Sequence, residues 1–104
     1  MKKFILIQTT YPKPLQARNL AKILLQKKLA ACVDFLPVQS SYIWKEKITD
    51  SAEILVTIKT KKSLFKEIEN HIKKNHPYQV PQIISTAIDQ GSSAYLSWLD
   101  SVLK

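Results

Sequence analysis

The chain has 104 residues, and its 16 basic and 8 acidic side chains give a formal net charge of +8. This length fits one domain, predicted to span residues 1–104, which buries roughly two-thirds of its unfolded surface without a disulfide or a metal. A hydrophobic content of 45% argues against disorder. The single cysteine, Cys32, excludes an intrachain disulfide, and two histidines are too few for a closed tetrahedral zinc site in one chain.

The single glycine, Gly91, restricts the chemistry further. A P-loop and a dinucleotide-binding fingerprint each need several glycines so that backbone N–H groups can approach phosphate, and neither can be built here. Arg18 is the only arginine, and the lysines are spread over two predicted helices. Because specific readout of bases favours the guanidinium group, the basic excess is interpreted as solvated helix faces, and no specific nucleic-acid partner is predicted.

The first half of the chain predicts a strand, a helix and the start of a hairpin. Residues 4–9 are a short apolar run, and Pro14 suits the first turn of a helix with apolar side chains at helical spacing. A second strand begins at 29–36. Pro37 cannot donate to a ladder and therefore marks a bulge, a bend or an exposed edge, beyond which the strand continues to Trp44.

The second half predicts a strand, a helix, a strand and a last helix. The polar residues 45–51 are predicted as a hairpin connection, and 53–60 is the clearest strand. A helix follows and must end before Pro77. Residues 83–88 form another strand, and Ser92 is the predicted N-cap of the last helix. The apolar stripe of that helix consists of Tyr95, Trp98, Leu99 and Val102.

This order of elements predicts an α+β fold, a ferredoxin-like βαββαβ sandwich with an additional C-terminal helix. Its antiparallel sheet carries helices on one face. The long hairpin holds more apolar surface than two helices can cover, which favours oligomerisation.

The N-terminal segment resembles the start of a signal peptide, since Met1, Lys2 and Lys3 precede the apolar residues 4–7. That apolar run is shorter than the roughly seven residues a signal peptide needs. No stretch approaches the roughly 20 apolar residues of a membrane span. A cytoplasmic protein with a reduced thiol and no membrane partner is therefore predicted.

No nucleophile–base pair is evident from residue spacing, and the chain is predicted not to be an enzyme. An acylphosphatase-like activity would suit the fold, but it needs a cradle of backbone amides with an arginine, and residues 11–14 contain two prolines. An RNA-recognition module shares the same order of elements. Its central strands carry spaced aromatic residues, which 54–59 lacks.

Two features remain as candidate sites. Cys32 lies in a strand of small residues, where a single cysteine is usually an apolar filler. The segment 76–81 is a proline-framed loop that holds His76 and Tyr78 on a rigid backbone, as a binding site requires. The aromatic residues at 42–44 and 95–98 are interpreted first as anchors for packing between subunits.

These segments resemble the CutA family, the small proteins named for divalent-cation tolerance. Leu29-Ala30-Ala31-Cys32-Val33, followed by Tyr42-Ile43-Trp44, is similar to the family's Ala-Ala-Cys strand and aromatic hairpin. His76-Pro77-Tyr78 with Val80-Pro81 is similar to its His-Pro-Tyr loop, and Tyr95-Leu96-Ser97-Trp98-Leu99 to its last helix. The resemblance runs over nearly the whole chain, in order.

The resemblance implies a homotrimer with the architecture of the PII signalling trimers, a cleft at each subunit interface, and a role in the response to divalent metals, chiefly copper. Carried over residue by residue, it implies six cleft residues: Cys32, Trp44, Lys59, His76, Tyr78 and Trp98. Among these, His76 and Cys32 are the candidate metal ligands, since an imidazole and a thiolate suit Cu(II).

Three positions depart from the family pattern. Glu46 stands where a glycine is usual at the hairpin tip, and Gln79 and Gln82 stand where glutamates are frequent. Neutral amides bind hard divalent ions less well than carboxylates, although Asp34 offers a carboxylate near Cys32. Two alternatives therefore stay open: a PII-like signalling trimer that holds an anionic ligand against Lys59, and an interaction scaffold without bound metal.

Overall fold

Four segments of alternating side chains form one antiparallel sheet in the computed structural model, which describes residues 3–104. Met1 and Lys2, which begin the signal-like segment, lie outside the described residues. The strands pair in the order β2-β3-β1-β4. Their bounds are Phe4–Tyr11 for β1, Cys32–Trp44 for β2, Lys47–Lys61 for β3 and Ile84–Ala87 for β4.

Three helices complete the fold: α1 at Pro14–Gln26, α2 at Phe65–Asn75 after a short 3-10 turn, and α3 at Ser93–Val102. Pro14 occupies the first turn of α1, and the Ser92 side chain accepts a hydrogen bond from the Tyr95 N–H at the start of α3. The order of elements confirms the predicted ferredoxin-like fold with its additional C-terminal helix. Within residues 3–104, no helix is long and apolar enough to cross a bilayer.

The core lies between the sheet and the helices. Alternation along β1 turns Ile5 and Ile7 toward the helices, and Val56 and Ile58 on β3 are fully buried on the same face, with Ile58 directly opposite Ile7. Burial of each such side chain contributes about 1.5–3 kcal/mol. The helices add Leu20 and Leu24 from α1, Ile68 and Ile72 from α2, and Leu99 from α3.

The tip of the β2–β3 hairpin differs from the prediction. The connection consists of Lys45 and Glu46 alone, and β3 begins at Lys47, so most of the predicted connection at 45–51 is strand. Its polar residues do not mark a loop: they belong to a part of the hairpin that extends past the helices. Lys45 and Glu46 have φ values of 50° and 66°, in the left-handed region that glycine adopts without strain.

Much of the apolar surface on the outer part of this hairpin is exposed. Ile43 is 76% exposed and Ile48 is 82% exposed. Pro37 lies on β2, an edge strand, as predicted. The apolar stripe of α3 is only partly packed, because Leu99 is buried whereas Tyr95 and Trp98 are exposed.

Candidate functional site

Four of the six predicted cleft residues belong to two clusters at opposite ends of the sheet, and each cluster also contains neighbouring residues. We call the first the His76 cluster: His76, Tyr78, Glu53, Thr10 and Tyr11. We call the second the Cys32 cluster: Cys32, Asp34, Lys59 and Tyr95. Glu53 and Lys59 are six residues apart on β3, which corresponds to about 20 Å at ~3.3 Å per residue.

His76 follows the last residue of α2, where extended backbone turns its ring toward β1. Its Nε2 lies 2.6 Å from the Thr10 carbonyl oxygen, and its Nδ1 accepts a hydrogen bond from the Tyr78 N–H at 3.1 Å. A carbonyl can only accept and a backbone N–H can only donate, so the neutral ring carries its proton on Nε2. Tyr11 stacks on the ring with a centroid distance of 4.2 Å.

This arrangement bears on His76 as a metal ligand. The lone pair of Nδ1 is already used by the Tyr78 N–H, and Nε2 needs its proton for the bond to Thr10. A metal ion therefore displaces one of these two hydrogen bonds when it binds the ring. Burial lowers the pKa of His76, opposed in part by the Thr10 carbonyl and by Glu53, which favours the neutral ring.

Tyr78 connects the loop to β3. Its hydroxyl donates to Glu53 Oε2 at 2.7 Å, and Glu53 is only 7% exposed. Burial and the nearby carboxylate raise the pKa of Tyr78, so that its hydroxyl stays protonated. Burial also raises the pKa of Tyr11, to about 12.

A groove of about 840 Å³ opens between the outer part of the hairpin and residues 77–82. It brings together Trp44 and Tyr78, two of the predicted cleft residues, at one end of the molecule. The remaining lining residues are Thr10, Ser40, Ser41, Tyr42, Ile43, Glu53, Pro77, Gln79, Val80 and Gln82.

The Cys32 cluster lies on adjacent strands, because Cys32 pairs with Lys59 across β2 and β3. Asp34 connects them: Cys32 Sγ lies 3.8 Å from its Oδ1, and Lys59 Nζ lies 3.3 Å from its Oδ2. Although burial opposes the charged form, hydrogen bonds to Asp34 and Tyr95 raise the pKa of Lys59. Cys32 is half-buried, so it is not the fully enclosed filler that its small neighbours suggest.

Tyr95 extends this cluster to α3. Lys59 Nζ lies 5.7 Å from the Tyr95 ring centroid, and the Trp98 ring lies 5.5 Å from that of Tyr95. One chain thus brings Cys32, Lys59 and Trp98 together and keeps His76, Tyr78 and Trp44 apart from them. Within the described part of the chain, no group of three His, Cys, Asp or Glu side chains is arranged to hold a metal ion.

Sequence reasoning did not identify Glu53, Thr10 or Tyr11. Glu53 offered a weak signal, since it is an acidic residue at the beginning of an apolar strand. Thr10 takes part through its backbone carbonyl, which no side-chain pattern reveals. Tyr11 lies beyond the apolar run 4–9 that predicts the first strand, and in the structure it is the last residue of β1 and fully buried.

The fold and its clusters define a class: a ferredoxin-like α+β protein with a long apolar hairpin and a His-Pro-Tyr loop held against its sheet. Residues 5–102 match the family model described as CutA1 divalent ion tolerance protein. The chain belongs to this family, which confirms the resemblance noted from the sequence.

Similar proteins come from plants and archaea. The chain is 40% identical over 96 residues to "Protein CutA, chloroplastic" of Arabidopsis thaliana, with 91% of this chain and 53% of that protein covered. It is 36% identical to the divalent-cation tolerance protein CutA of Archaeoglobus fulgidus over the full length of both. A solved structure described as the periplasmic CutA of Archaeoglobus fulgidus superposes with a TM-score of 0.95 at 35% identity, covering 97% of this chain and 99% of that one. The chain thus spans about half the length of the plant relative and all of the archaeal one.

Proposed function

We propose that this protein is a cytoplasmic homotrimer that takes part in the response to divalent metals, and that it binds Cu(II) at clefts between copies without catalysing a reaction. Membership in the divalent ion tolerance family supports the metal response. The proposal that it catalyses no reaction rests on the sequence, in which no nucleophile–base pair is evident.

The exposed apolar side chains of the hairpin support the assembly. Ile43 and Ile48 form a cross-strand pair on one face near the tip, and Leu36 adds exposed apolar surface on the other face. Tyr95 and Trp98 on α3 are also exposed. Large apolar surfaces on a monomer are characteristic of interfaces, and a closed ring of copies would bury them.

The contact between Cys32 and Asp34 is the observation that carries copper binding. A thiolate and a carboxylate within 3.8 Å of each other offer two donors to one metal ion, and Cys32 is partly accessible. Thiolate sulfur favours copper over magnesium or calcium. The ammonium of Lys59 already pairs with Asp34 and would have to turn away, which makes this site weaker than a pair of free donors.

Two donors from one chain do not complete a copper site, so the remaining ligands come from a neighbouring copy. His76 is the proposed third donor. It lies too far from Cys32 to meet it within one chain, and ligation through Nδ1 requires the Tyr78 N–H bond to break. Loss of such a hydrogen bond costs about 0.5–1.5 kcal/mol, which a metal–imidazole bond exceeds.

Calorimetric titration of Cu(II) in a competing glycine buffer tests this assignment. The purified protein is compared with Cys32→Ala, His76→Ala and the double variant. We expect each single variant to bind copper at least about tenfold more weakly, since each loses one ligand. Equal binding by the wild type and the double variant would overturn the site.

The PII-like alternative needs a cation that is free to hold an anionic ligand. Lys59 is the residue that the resemblance offers, and its charge is already paired with Asp34. This contact therefore weakens the case for an anion site at Lys59. A scaffold without metal predicts instead that copper leaves the melting temperature unchanged.

A further inference from the structure

The basic charge of this protein is concentrated on one helix. The segment 12–33 contains no acidic residue and five basic ones: Lys13, Arg18, Lys22, Lys27 and Lys28. This segment therefore carries a charge of +5, whereas the whole chain carries +8. All five side chains are exposed, and none forms an ion pair with another residue of 3–104.

Helix α2 has the opposite arrangement. Lys66 and Lys73 both pair with Glu69, three and four residues away, and such pairs stabilise the surface of a helix. Helix α1 has no pair of this kind. It instead places Arg18 and Lys22 four residues apart, where like charges repel each other. The solvated helix face that the sequence predicted therefore describes α2 better than it describes α1.

The charges of α1 do not stabilise the helix itself, except at its C-terminal end. The N-terminus of a helix favours negative charge, yet Lys13 is the N-cap without a side-chain hydrogen bond, and the first turn contains no acidic residue. The Arg18 guanidinium lies 5.5 Å from the Phe35 ring, a contact that leaves its charge unneutralised. Surface positions that break local rules without a compensating ion pair indicate a function for that surface.

Two leucines share the outer side of α1 with these charges. Leu15, Arg18, Lys22 and Leu25 follow one another at intervals of three, four and three residues, so they lie along one side of the helix. They span about 15 Å at ~1.5 Å per residue. Leu15 is 69% exposed and Leu25 is 45% exposed. We call these four residues the α1 ridge, a convex row of two cations with an apolar side chain at each end.

We propose that the α1 ridge contacts an anionic lipid surface. Its cations pair with the phosphate and carboxylate groups of the lipids, and its leucines enter the apolar layer beneath them. A nucleic-acid duplex offers phosphates but no such layer, and the ridge has no aromatic ring to stack on bases. A bilayer also needs no concave surface on the protein, which suits a convex row.

This contact is compatible with the absence of a spanning helix among the described residues. The sequence predicted no membrane partner because no segment can cross a bilayer, and a contact with headgroups requires no crossing. The ridge belongs neither to the outer part of the hairpin nor to the His76 and Cys32 clusters. The proposal therefore depends on neither copper binding nor assembly.

Co-sedimentation with vesicles tests the proposal on the purified full chain. Vesicles of phosphatidylcholine alone are compared with vesicles that contain about one-third phosphatidylserine. We expect at least about tenfold tighter binding to the anionic vesicles, since each basic residue near such a surface strengthens binding about fivefold. Raising the salt concentration from about 0.1 M to about 0.5 M should remove this preference. Equal binding to both kinds of vesicle would overturn the proposal.

Two charge-matched double variants locate the contact. Arg18→Gln with Lys22→Gln removes two positive charges from the ridge, and we expect at least about tenfold weaker binding to anionic vesicles. Lys66→Gln with Lys73→Gln removes the same charge from α2, and we expect a much smaller loss because Glu69 already neutralises part of that charge. Equal losses in the two variants would show attraction by net charge alone, and the proposal would be wrong.

A third variant distinguishes a lipid surface from other polyanions. Leu15→Ser with Leu25→Ser leaves every charge in place, and we expect severalfold weaker vesicle binding because the apolar contacts are lost. Unchanged vesicle binding in this variant contradicts the proposal. If the wild type instead binds a DNA duplex more tightly than anionic vesicles at the same ionic strength, the partner is a nucleic acid and the proposal is overturned.

Discussion

The two halves of the β2–β3 hairpin have similar apolar alternation but different surroundings. We call β2 residues 32–38 with β3 residues 53–61 the proximal half, and β2 residues 39–44 with β3 residues 47–52 the distal half. In the proximal half, Val56 and Ile58 are fully buried under the helices. In the distal half, Ile43 and Ile48 point to the same side of the ladder and are mostly exposed.

This difference shows that alternation predicts which face a residue occupies and not whether that face is covered. The helices of one chain extend over the proximal half only, which leaves a molecule with extents of 44 × 26 × 22 Å. Glu53 lies near the boundary, where the loop after α2 covers the other face through Tyr78. We therefore expect the stability of one chain to come from the proximal half and the proposed association between copies to come from the distal half.

The largest expected effect is loss of assembly on changing the distal half. Ile43→Ser with Ile48→Ser removes the most exposed apolar pair without touching the core, so the fold should remain while association is lost. Sedimentation equilibrium should give the mass of a trimer for the wild type and 11.9 kDa for the double variant. If the wild type also sediments at 11.9 kDa, the mass of one chain, the distal half does not hold copies together and the proposed difference between the halves is wrong.

A change in the proximal half should instead lower the stability of the chain itself. Ile58→Ala leaves a cavity in the core, and we expect it to lower the free energy of unfolding by about 2–5 kcal/mol. The loss should be the same at every protein concentration in urea denaturation. A loss that disappears on dilution would indicate that Ile58 acts through assembly.

Tyr78→Phe tests the boundary between the halves. Removal of the hydroxyl leaves the buried Glu53 carboxylate without its donor, and we expect a loss of about 1–3 kcal/mol in the free energy of unfolding. Tyr95→Phe is a matched control because it also removes a phenolic hydroxyl, but from an exposed ring whose partner is the Lys59 ammonium group and not a buried carboxylate. Equal effects of the two substitutions would mean that the contact with Glu53 contributes no more to stability than an exposed hydrogen bond does.

Glu46→Gly tests the tip of the distal half. Glu46 has a φ of 66°, and a left-handed conformation costs a non-glycine residue about 1–2 kcal/mol. We expect the variant to stabilise the hairpin by about 1 kcal/mol in thermal or urea unfolding. Ser51→Gly, in extended strand, should be destabilising, and stabilisation by both would refute the strain argument.

The smallest expected effect is on pH dependence. Burial lowers the pKa of His76 in the folded protein. When the pH falls through about 6.5, the usual pKa of histidine, the unfolded chain therefore binds more protons than the folded chain does. The neutral ring therefore contributes fully to the free energy of unfolding above that pH. This contribution is lost as the pH falls further, toward the lower pKa that His76 has in the folded protein. Urea denaturation between pH 8 and pH 5 should show a steeper decrease in stability for the wild type than for His76→Phe. An equal decrease in stability with pH for the wild type and for His76→Phe would contradict the assignment of this pH dependence to His76.

Local signals in the sequence predicted most of the fold. Ser92 caps α3, α2 ends before Pro77, and residues 53–60 are in a strand, as expected from residues close together in the chain. Contacts between distant segments were not predictable. Glu53 and Tyr78 are 25 residues apart, and their hydrogen bond depends on how the loop after α2 folds back over the sheet.

The contact of His76 with β1 also affects the edge of the sheet. The Phe4 carbonyl accepts a hydrogen bond from the Ile88 N–H just past β4, and alternation turns the Thr10 carbonyl toward the same side. The pairing of β1 with β4 reaches only to Gln8, so no strand of the described residues 3–104 lies beside that carbonyl. The His76 imidazole takes the position that a strand N–H would occupy. A side chain thus closes the end of an open ladder where another chain could otherwise add a strand.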